Sequence, residues 1–132
     1  MEIVFEIVAS IVCFGIAGFC EAVMDTLQFH FSTSMFYCFK NKYFWDPTIS
    51  WRNKYKNKDP LAGSRFLGST TLFVGLTDGW HLFKLLRNLF VVIGVLILLY
   101  AIAGPIWALV YVVIARVIFG LVFTFFYNIL GD

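Results

Sequence analysis

Long apolar runs and one polar stretch alternate along this chain. Residues 3–24 form an apolar run whose length suits a hydrocarbon core of about 30 Å, at a helical rise of about 1.5 Å per residue. Two further runs lie at about 77–104 and 105–130. Gly104 and Pro105 separate them, because proline cannot continue a helix but begins one well. The pattern predicts three transmembrane helices.

Two segments between the first and second runs are too polar to span a membrane. Residues 25–39 are amphipathic and rich in aromatic side chains, which predicts a segment at the membrane interface, lying flat or re-entering. Residues 40–71 contain Asp-Pro and Gly-Ser turn signals and are predicted to form a polar loop. We therefore expect an all-α integral membrane protein with three transmembrane helices, an interfacial amphipathic segment and one cytoplasmic loop, in a single membrane domain over residues 1–132.

Composition supports a membrane location. Hydrophobic residues make up 61% of the 132 residues and charged residues only 14%, whereas about 25% is usual for a soluble domain. Seven of the ten Lys and Arg residues lie between Lys40 and Arg65, which places this region in the cytoplasm by the positive-inside rule. The expected location is the inner (cytoplasmic) membrane, with the N-terminus outside and Asp132 inside. No basic region precedes the first run, which favours a retained helix over a signal peptide.

Ionisable side chains gather at the predicted cytoplasmic ends of the first two spans. Glu21 and Asp25 are four residues apart, and Asp78 and His81 are three apart, so each pair shares a helix face. The predicted topology brings both pairs to the same membrane depth. Because ionisable groups near hydrocarbon are costly, this coincidence indicates a functional site. Asp25, Asp78 and His81 are the candidate catalytic residues.

The same cluster suggests a metal site as one hypothesis. Carboxylate and imidazole ligands suit Zn, Mn or Fe, so a divalent transition metal is a candidate cofactor. The chain has only two histidines, however, and no HExxH spacing. The candidate metal ligands are Glu21, Asp25, Asp78, His81 and His30.

Structural interpretations of these residues remain open beside the chemical ones. Asp78 fits a helix cap, where a carboxylate meets free backbone N–H groups and the helix dipole. Glu21 and Asp25 fit an interhelical ion pair with Lys84 or Arg87. Such pairing would stabilise the fold without binding any ligand.

Basic and aromatic residues alternate in the polar loop. Each basic residue near an anionic leaflet contributes about 1 kcal/mol of attraction, and Trp or Tyr anchors at the same level. Anionic lipid headgroups are therefore the expected partners, and nucleic acid is not expected. The candidate headgroup-binding residues are Arg52, Lys54, Lys84 and Arg87. Ser50 and Ser64 are not set beside a His and an Asp in a nucleophile-elbow context, so the sequence does not support serine hydrolysis.

Two further charges lie inside predicted spans. Glu6 and Arg116 are expected to satisfy structural contacts, Arg116 by reaching toward Glu6 or a backbone carbonyl. A pore lined by Arg116 is the alternative, and it needs an oligomer to form a ring. A homo-oligomer or a partner membrane protein is accordingly a possible assembly.

Several short motifs between residues 18 and 87 resemble those of a group of small uncharacterised bacterial integral membrane proteins. The resemblance implies no activity and no catalytic residues. It suggests that the loop and the two acid-bearing helix ends form one unit. The motifs are MDTLQFH at 24–30, FWDP at 44–47, SWRNKYK at 50–56, GSTT at 68–71 and TDGWHLFK at 77–84.

Three classes of function follow from these patterns. An enzyme acting on lipid headgroups predicts that Asp25, Asp78 and His81 converge on a cavity. A structural or accessory membrane subunit predicts that the charged groups pair with one another. An oligomeric channel predicts that Arg116 or Glu6 lies on a symmetry axis.

Overall fold

The structure is a computed structural model that describes residues 2–106, 108–110, 112–113 and 117. Four helices have the bounds Glu2–Phe29 (α1), Lys42–Trp45 (α2), Pro47–Ser50 (α3) and Gly79–Ala103 (α4). The described residues contain no β-strand, only an isolated bridge between Tyr55 and Ser64. The predicted all-α class is therefore confirmed. Short 3₁₀ turns lie at Phe31–Thr33, Met35–Cys38, Trp51–Lys54, Lys56–Lys58, Pro60–Ala62 and Val74–Leu76.

Two helices are long and apolar enough to cross a membrane. They cover Val4–Phe29 and Gly79–Ala103, with mean hydropathies of 2.2 and 2.4. Only 28% and 6% of their apolar windows are buried, whereas the core helix of a soluble protein would be mostly buried. The described part of the chain thus contains two candidate spans rather than three. The third predicted span, 105–130, lies largely outside the described residues.

The helix bounds differ from the predicted ones at two places. α1 continues to Phe29 instead of ending near residue 24, so residues 25–29 of the predicted interfacial segment extend a candidate spanning helix. Leu27 is fully buried, and its packing favours this extension. The remainder of that segment forms 3₁₀ turns. α4 begins at Gly79 rather than near residue 77.

The chain divides into two compact units, and one of them contains the described residues of 1–14 and 91–132. Within this unit the Ser10 hydroxyl donates a hydrogen bond to the Gly94 carbonyl at 2.8 Å. A Cβ atom added to Gly94 would lie 3.2 Å from the Cβ of Cys13. The absence of a side chain at Gly94 therefore allows this close approach of α1 and α4.

The other unit, residues 15–90, holds the loop against the start of α4. Trp45 stacks on Phe36 at a centroid distance of 5.3 Å and lies 6.4 Å from Phe83 of α4. A Cβ atom added to Gly79 would come within 2.8 Å of the Trp45 ring, so only glycine fits beneath it. The buried Asn53 amide donates to the backbone carbonyls of Tyr43 and Thr77. These contacts position the loop beside the residues that begin α4.

Candidate acid–base site

Asp78 is a buried carboxylate immediately before α4. Its side chain is the N-cap of the helix, and its Oδ1 accepts a hydrogen bond from the His81 backbone N–H at 2.9 Å. Asp78 is only 1% exposed. Acidic residues are almost never buried to this extent unless they are paired, and Asp78 is paired. The capping interpretation from the sequence is thus confirmed, and it explains why α4 begins at Gly79.

The same carboxylate also contacts the imidazole of His81. His81 Nδ1 lies 2.7 Å from Oδ2 and 3.0 Å from Oδ1 of Asp78. Because an ionised carboxylate only accepts, this contact assigns the proton of a neutral imidazole to Nδ1 and leaves the lone pair on Nε2. The Trp80 ring meets the imidazole edge-on at 5.0 Å. The imidazole is therefore oriented, yet the His81 side chain remains 20% exposed.

Opposing effects act on the pKa of Asp78. Burial raises the pKa, but the hydrogen bonds and charge of His81 and the nearby Thr77 hydroxyl lower it, and together they outweigh burial. The pKa of Asp78 is therefore below that of an ordinary aspartate. The carboxylate is ionised at neutral pH, as an acceptor that orients a histidine must be.

We expect acid to remove the stability that Asp78 contributes. A carboxylate whose pKa is lowered by folding stabilises the native state fully above the unfolded pKa, about 4, and loses this contribution as the pH falls through its folded pKa. The measurement is the thermal midpoint of the wild type and of Asp78→Asn between about pH 2 and 6. The difference between the two proteins should shrink on acidification, and a constant difference would contradict the lowered pKa.

Asp78 and His81 open onto a small cavity. Its volume is about 140 Å³, below the roughly 300–1,000 Å³ of pockets that enclose a whole small molecule. Two tryptophan rings and a proline make most of the wall apolar. A small polar group would fit, with the remainder of its molecule outside. The lining residues are Gln28, Pro47, Ser50, Trp51, Asp78, Trp80 and His81.

Ser50 is the cavity residue that the sequence analysis set aside. It is the last residue of α3, a short helix whose cap, Asp46, accepts from the Thr48 backbone N–H at 2.9 Å. Ser50 is 2% exposed and lines the cavity with Asp78 and His81. The fold thus places a serine, a histidine and an aspartate on one cavity. No local sequence spacing indicates this, because the loop brings Ser50 from 28 residues before Asp78.

Other predicted site residues lie elsewhere. Asp25 and His30 are exposed and do not line the cavity, so the predicted convergence of Asp25 with Asp78 and His81 is not observed.

Glu21 accepts a hydrogen bond from Arg87 of α4, which is the interhelical ion pair considered as an alternative. Arg116, the predicted partner of Glu6, lies outside the described residues.

Within the described ranges, no three His, Cys, Asp or Glu side chains are placed to hold a metal ion. The reason is visible in the contacts. Asp78 and His81 bond to each other, Glu21 bonds to Arg87, and Asp25 and His30 are exposed apart from the cavity. The structure therefore does not support the predicted metal site.

Cations lie against both tryptophan rings of the cavity. The Arg52 guanidinium is 5.2 Å from the Trp51 ring centroid, and Lys84 Nζ is 4.8 Å from that of Trp80. Lys54, another predicted headgroup-binding residue, contacts Tyr55 outside the cavity. Cation–π contacts of this kind hold a basic side chain beside an apolar wall.

No protein-family model, curated protein or solved structure matches this chain. The resemblance to small bacterial membrane proteins therefore stays a prediction. Any function assigned to the chain must rest on the geometry of the site itself.

Proposed function

We propose that this protein is a membrane enzyme that uses the Asp78–His81 pair as an acid–base site on the polar part of a lipid. One observation carries the proposal. A buried carboxylate orients an imidazole that opens onto a cavity of about 140 Å³. This is the arrangement by which an aspartate supports a histidine base in enzymes that transfer protons.

The membrane location rests on the two poorly buried apolar helices. We place the basic loop on the cytoplasmic side, with the N-terminus outside and the C-terminus inside, because cytoplasmic loops are enriched in Lys and Arg. α1 packs on α4 through Phe19 and Phe83 and through the Glu21–Arg87 ion pair, which favours a retained helix over a cleaved signal. The site then lies at the interface, since Asp78 directly precedes the apolar helix.

A lipid substrate agrees with the size and surroundings of the cavity. The cavity holds a small polar group, and the apolar part of a lipid can remain in the bilayer beside it. Arg52 and Lys84, at the two tryptophan rings, would attract an anionic headgroup. The proposed chemistry needs no metal, since the chain's own imidazole accepts and returns the proton.

The proposal is tested by following lipid turnover in vesicles that contain the purified protein. Mass spectrometry of a total bacterial lipid extract should reveal a product formed by the wild type. Replacement of a general base costs about 10²–10⁴-fold, so we expect His81→Gln to lower the rate at least 100-fold. The matched control is His30→Gln, which alters the chain's only other histidine, an exposed residue outside the cavity.

Each outcome bears on the proposal. A product lost in His81→Gln and kept in His30→Gln supports it, provided that both variants are folded at the assay temperature. No product above the protein-free background, or equal loss in both variants, would overturn it.

A structural role is the second candidate, and the Glu21–Arg87 ion pair favours it. The two side chains are 46% and 30% exposed, so the pair contributes at most about 1 kcal/mol, yet it joins α1 to α4. In such a subunit the pairing of Asp78 with His81 would serve the helix start alone. Lowered stability of His81→Gln without any lipid product would favour this candidate.

A further inference from the structure

We infer that Ser50 is the nucleophile of this site and that the substrate is a carboxylic ester of a lipid. This inference rests on the proposed acid–base role of His81. It adds a residue that forms a covalent intermediate, and it names the bond that breaks.

The hydroxyl of Ser50 differs from the other buried hydroxyls of the described chain. Ser10, Ser69 and Thr77 each lie within 2.8 Å of a backbone carbonyl oxygen and donate to it. The Ser50 hydroxyl forms no hydrogen bond with any described residue, although Ser50 is 2% exposed. Among described residues, every side-chain polar atom that is sealed from solvent has a hydrogen-bond partner. The unpaired Ser50 hydroxyl is therefore not sealed from solvent. Because Ser50 lines the cavity, we place its hydroxyl at the cavity wall.

Three side chains on the cavity then have complementary roles. Asp78 orients His81 through Nδ1, His81 Nε2 is the base, and Ser50 supplies the oxygen that a base can activate. Ser50 and His81 are not hydrogen-bonded to each other in the structure. Nucleophile–base contacts are often long before substrate binds and shorten in the complex.

The lining of the cavity favours an ester over a phosphate. No Lys or Arg is among the lining residues that the structure describes, and Arg52 and Lys84 stand against the tryptophan rings instead. Phosphoryl transfer depends on cations that contact the transferred group. Ester cleavage instead needs a neutral donor for the developing oxyanion, which the Gln28 amide can supply from the cavity wall.

The reaction balances with water as the second reactant. Ser50 Oγ attacks the ester carbonyl while His81 Nε2 accepts the hydroxyl proton. The bond between the carbonyl carbon and the alcohol oxygen breaks, His81 returns the proton to the leaving alcohol, and the acyl group stays on Ser50. Water then attacks this acyl group with His81 as base, which releases the carboxylic acid and restores Ser50.

A long-chain alkyl fluorophosphonate tests the role of Ser50 directly. The probe phosphonylates an activated serine with loss of fluoride, and mass spectrometry locates the adduct. We expect one adduct per full-length chain in detergent, on Ser50, and none in Ser50→Ala. Labelling of His81→Gln should be at least 100-fold slower. The control is Ser64→Ala, because Ser64 is exposed and bonds to Thr70 outside the cavity.

The outcomes separate this inference from the proposed function. Absence of labelling of the folded wild type, or labelling that persists in Ser50→Ala, overturns the role of Ser50. A His81-dependent lipid product that is not a carboxylic acid with its alcohol overturns the ester and leaves the acid–base site standing. Failure of His81-dependent turnover overturns the proposed function. If Ser50→Ala does not fold, Ser50→Cys keeps the side-chain size and should also lose labelling.

Discussion

Asp78→Ala is expected to lower the free energy of unfolding by about 3 kcal/mol. The substitution removes the cap of α4 and leaves the His81 backbone N–H and Nδ1 without their shared acceptor. A lost cap costs about 1 kcal/mol, and lost hydrogen bonds to a charged group cost about 2 kcal/mol more. Unfolding of detergent-solubilised protein, followed by circular dichroism, measures the change.

Asp59→Ala is the matched control for this substitution. Asp59 caps the Pro60–Ala62 turn by accepting from the Leu61 backbone N–H at 2.9 Å, but it is exposed and has no histidine partner. We expect a loss of less than about 1 kcal/mol. Equal losses in the two variants would show that the contact of Asp78 with His81 adds no stability.

Asn53→Ala is expected to cost about 2 kcal/mol and to weaken the site as well. The Asn53 amide joins the Tyr43 and Thr77 carbonyls, so its removal leaves two carbonyls without a partner. Thr77 directly precedes Asp78, and a loop released here would also release the cavity wall. Asn53→Asp should cost more, about 3 kcal/mol, because a buried carboxylate would face two carbonyl oxygens.

The Asn53 prediction is measured by the same unfolding assay. Asn41→Ala is its control, since Asn41 is exposed and its side chain makes no cap hydrogen bond. We expect that control to stay within about 0.5 kcal/mol of the wild type. A wild-type unfolding curve for Asn53→Ala would show that the loop does not depend on this amide.

Local patterns predict the helices of this protein better than their ends. Hydrophobic runs and the Thr-Asp-Gly start of α4 depend on neighbouring residues, so the sequence alone predicts the apolar helices and the Asp78 cap. The extension of α1 to Phe29 depends on burial of Leu27, which is a tertiary contact. Packing overrides the polar composition that suggested an interfacial segment.

The site was predictable only where its residues are close in sequence. Asp78 and His81 are three apart and meet through the helical repeat alone. Ser50 lies near them because Asn53 holds the loop in place. Asn53 does so through hydrogen bonds to Tyr43 and Thr77, which are 10 and 24 residues away in the sequence. The predicted topology indicated the Glu21–Arg87 pair, since the two residues lie at corresponding ends of two helices and so at the same membrane depth. The topology does not predict the position of the polar loop relative to these helix ends.

α4 carries His81 in its first turn, with no flexible link between the imidazole and the apolar helix. Its 25 residues measure about 37 Å at about 1.5 Å each, which exceeds a hydrocarbon core of about 30 Å. A helix of this length tilts to match its bilayer, and the tilt varies with acyl-chain length. The imidazole tilts with it. In the proposed enzyme, a change in bilayer thickness therefore changes the orientation of the imidazole, whatever headgroup the lipid carries.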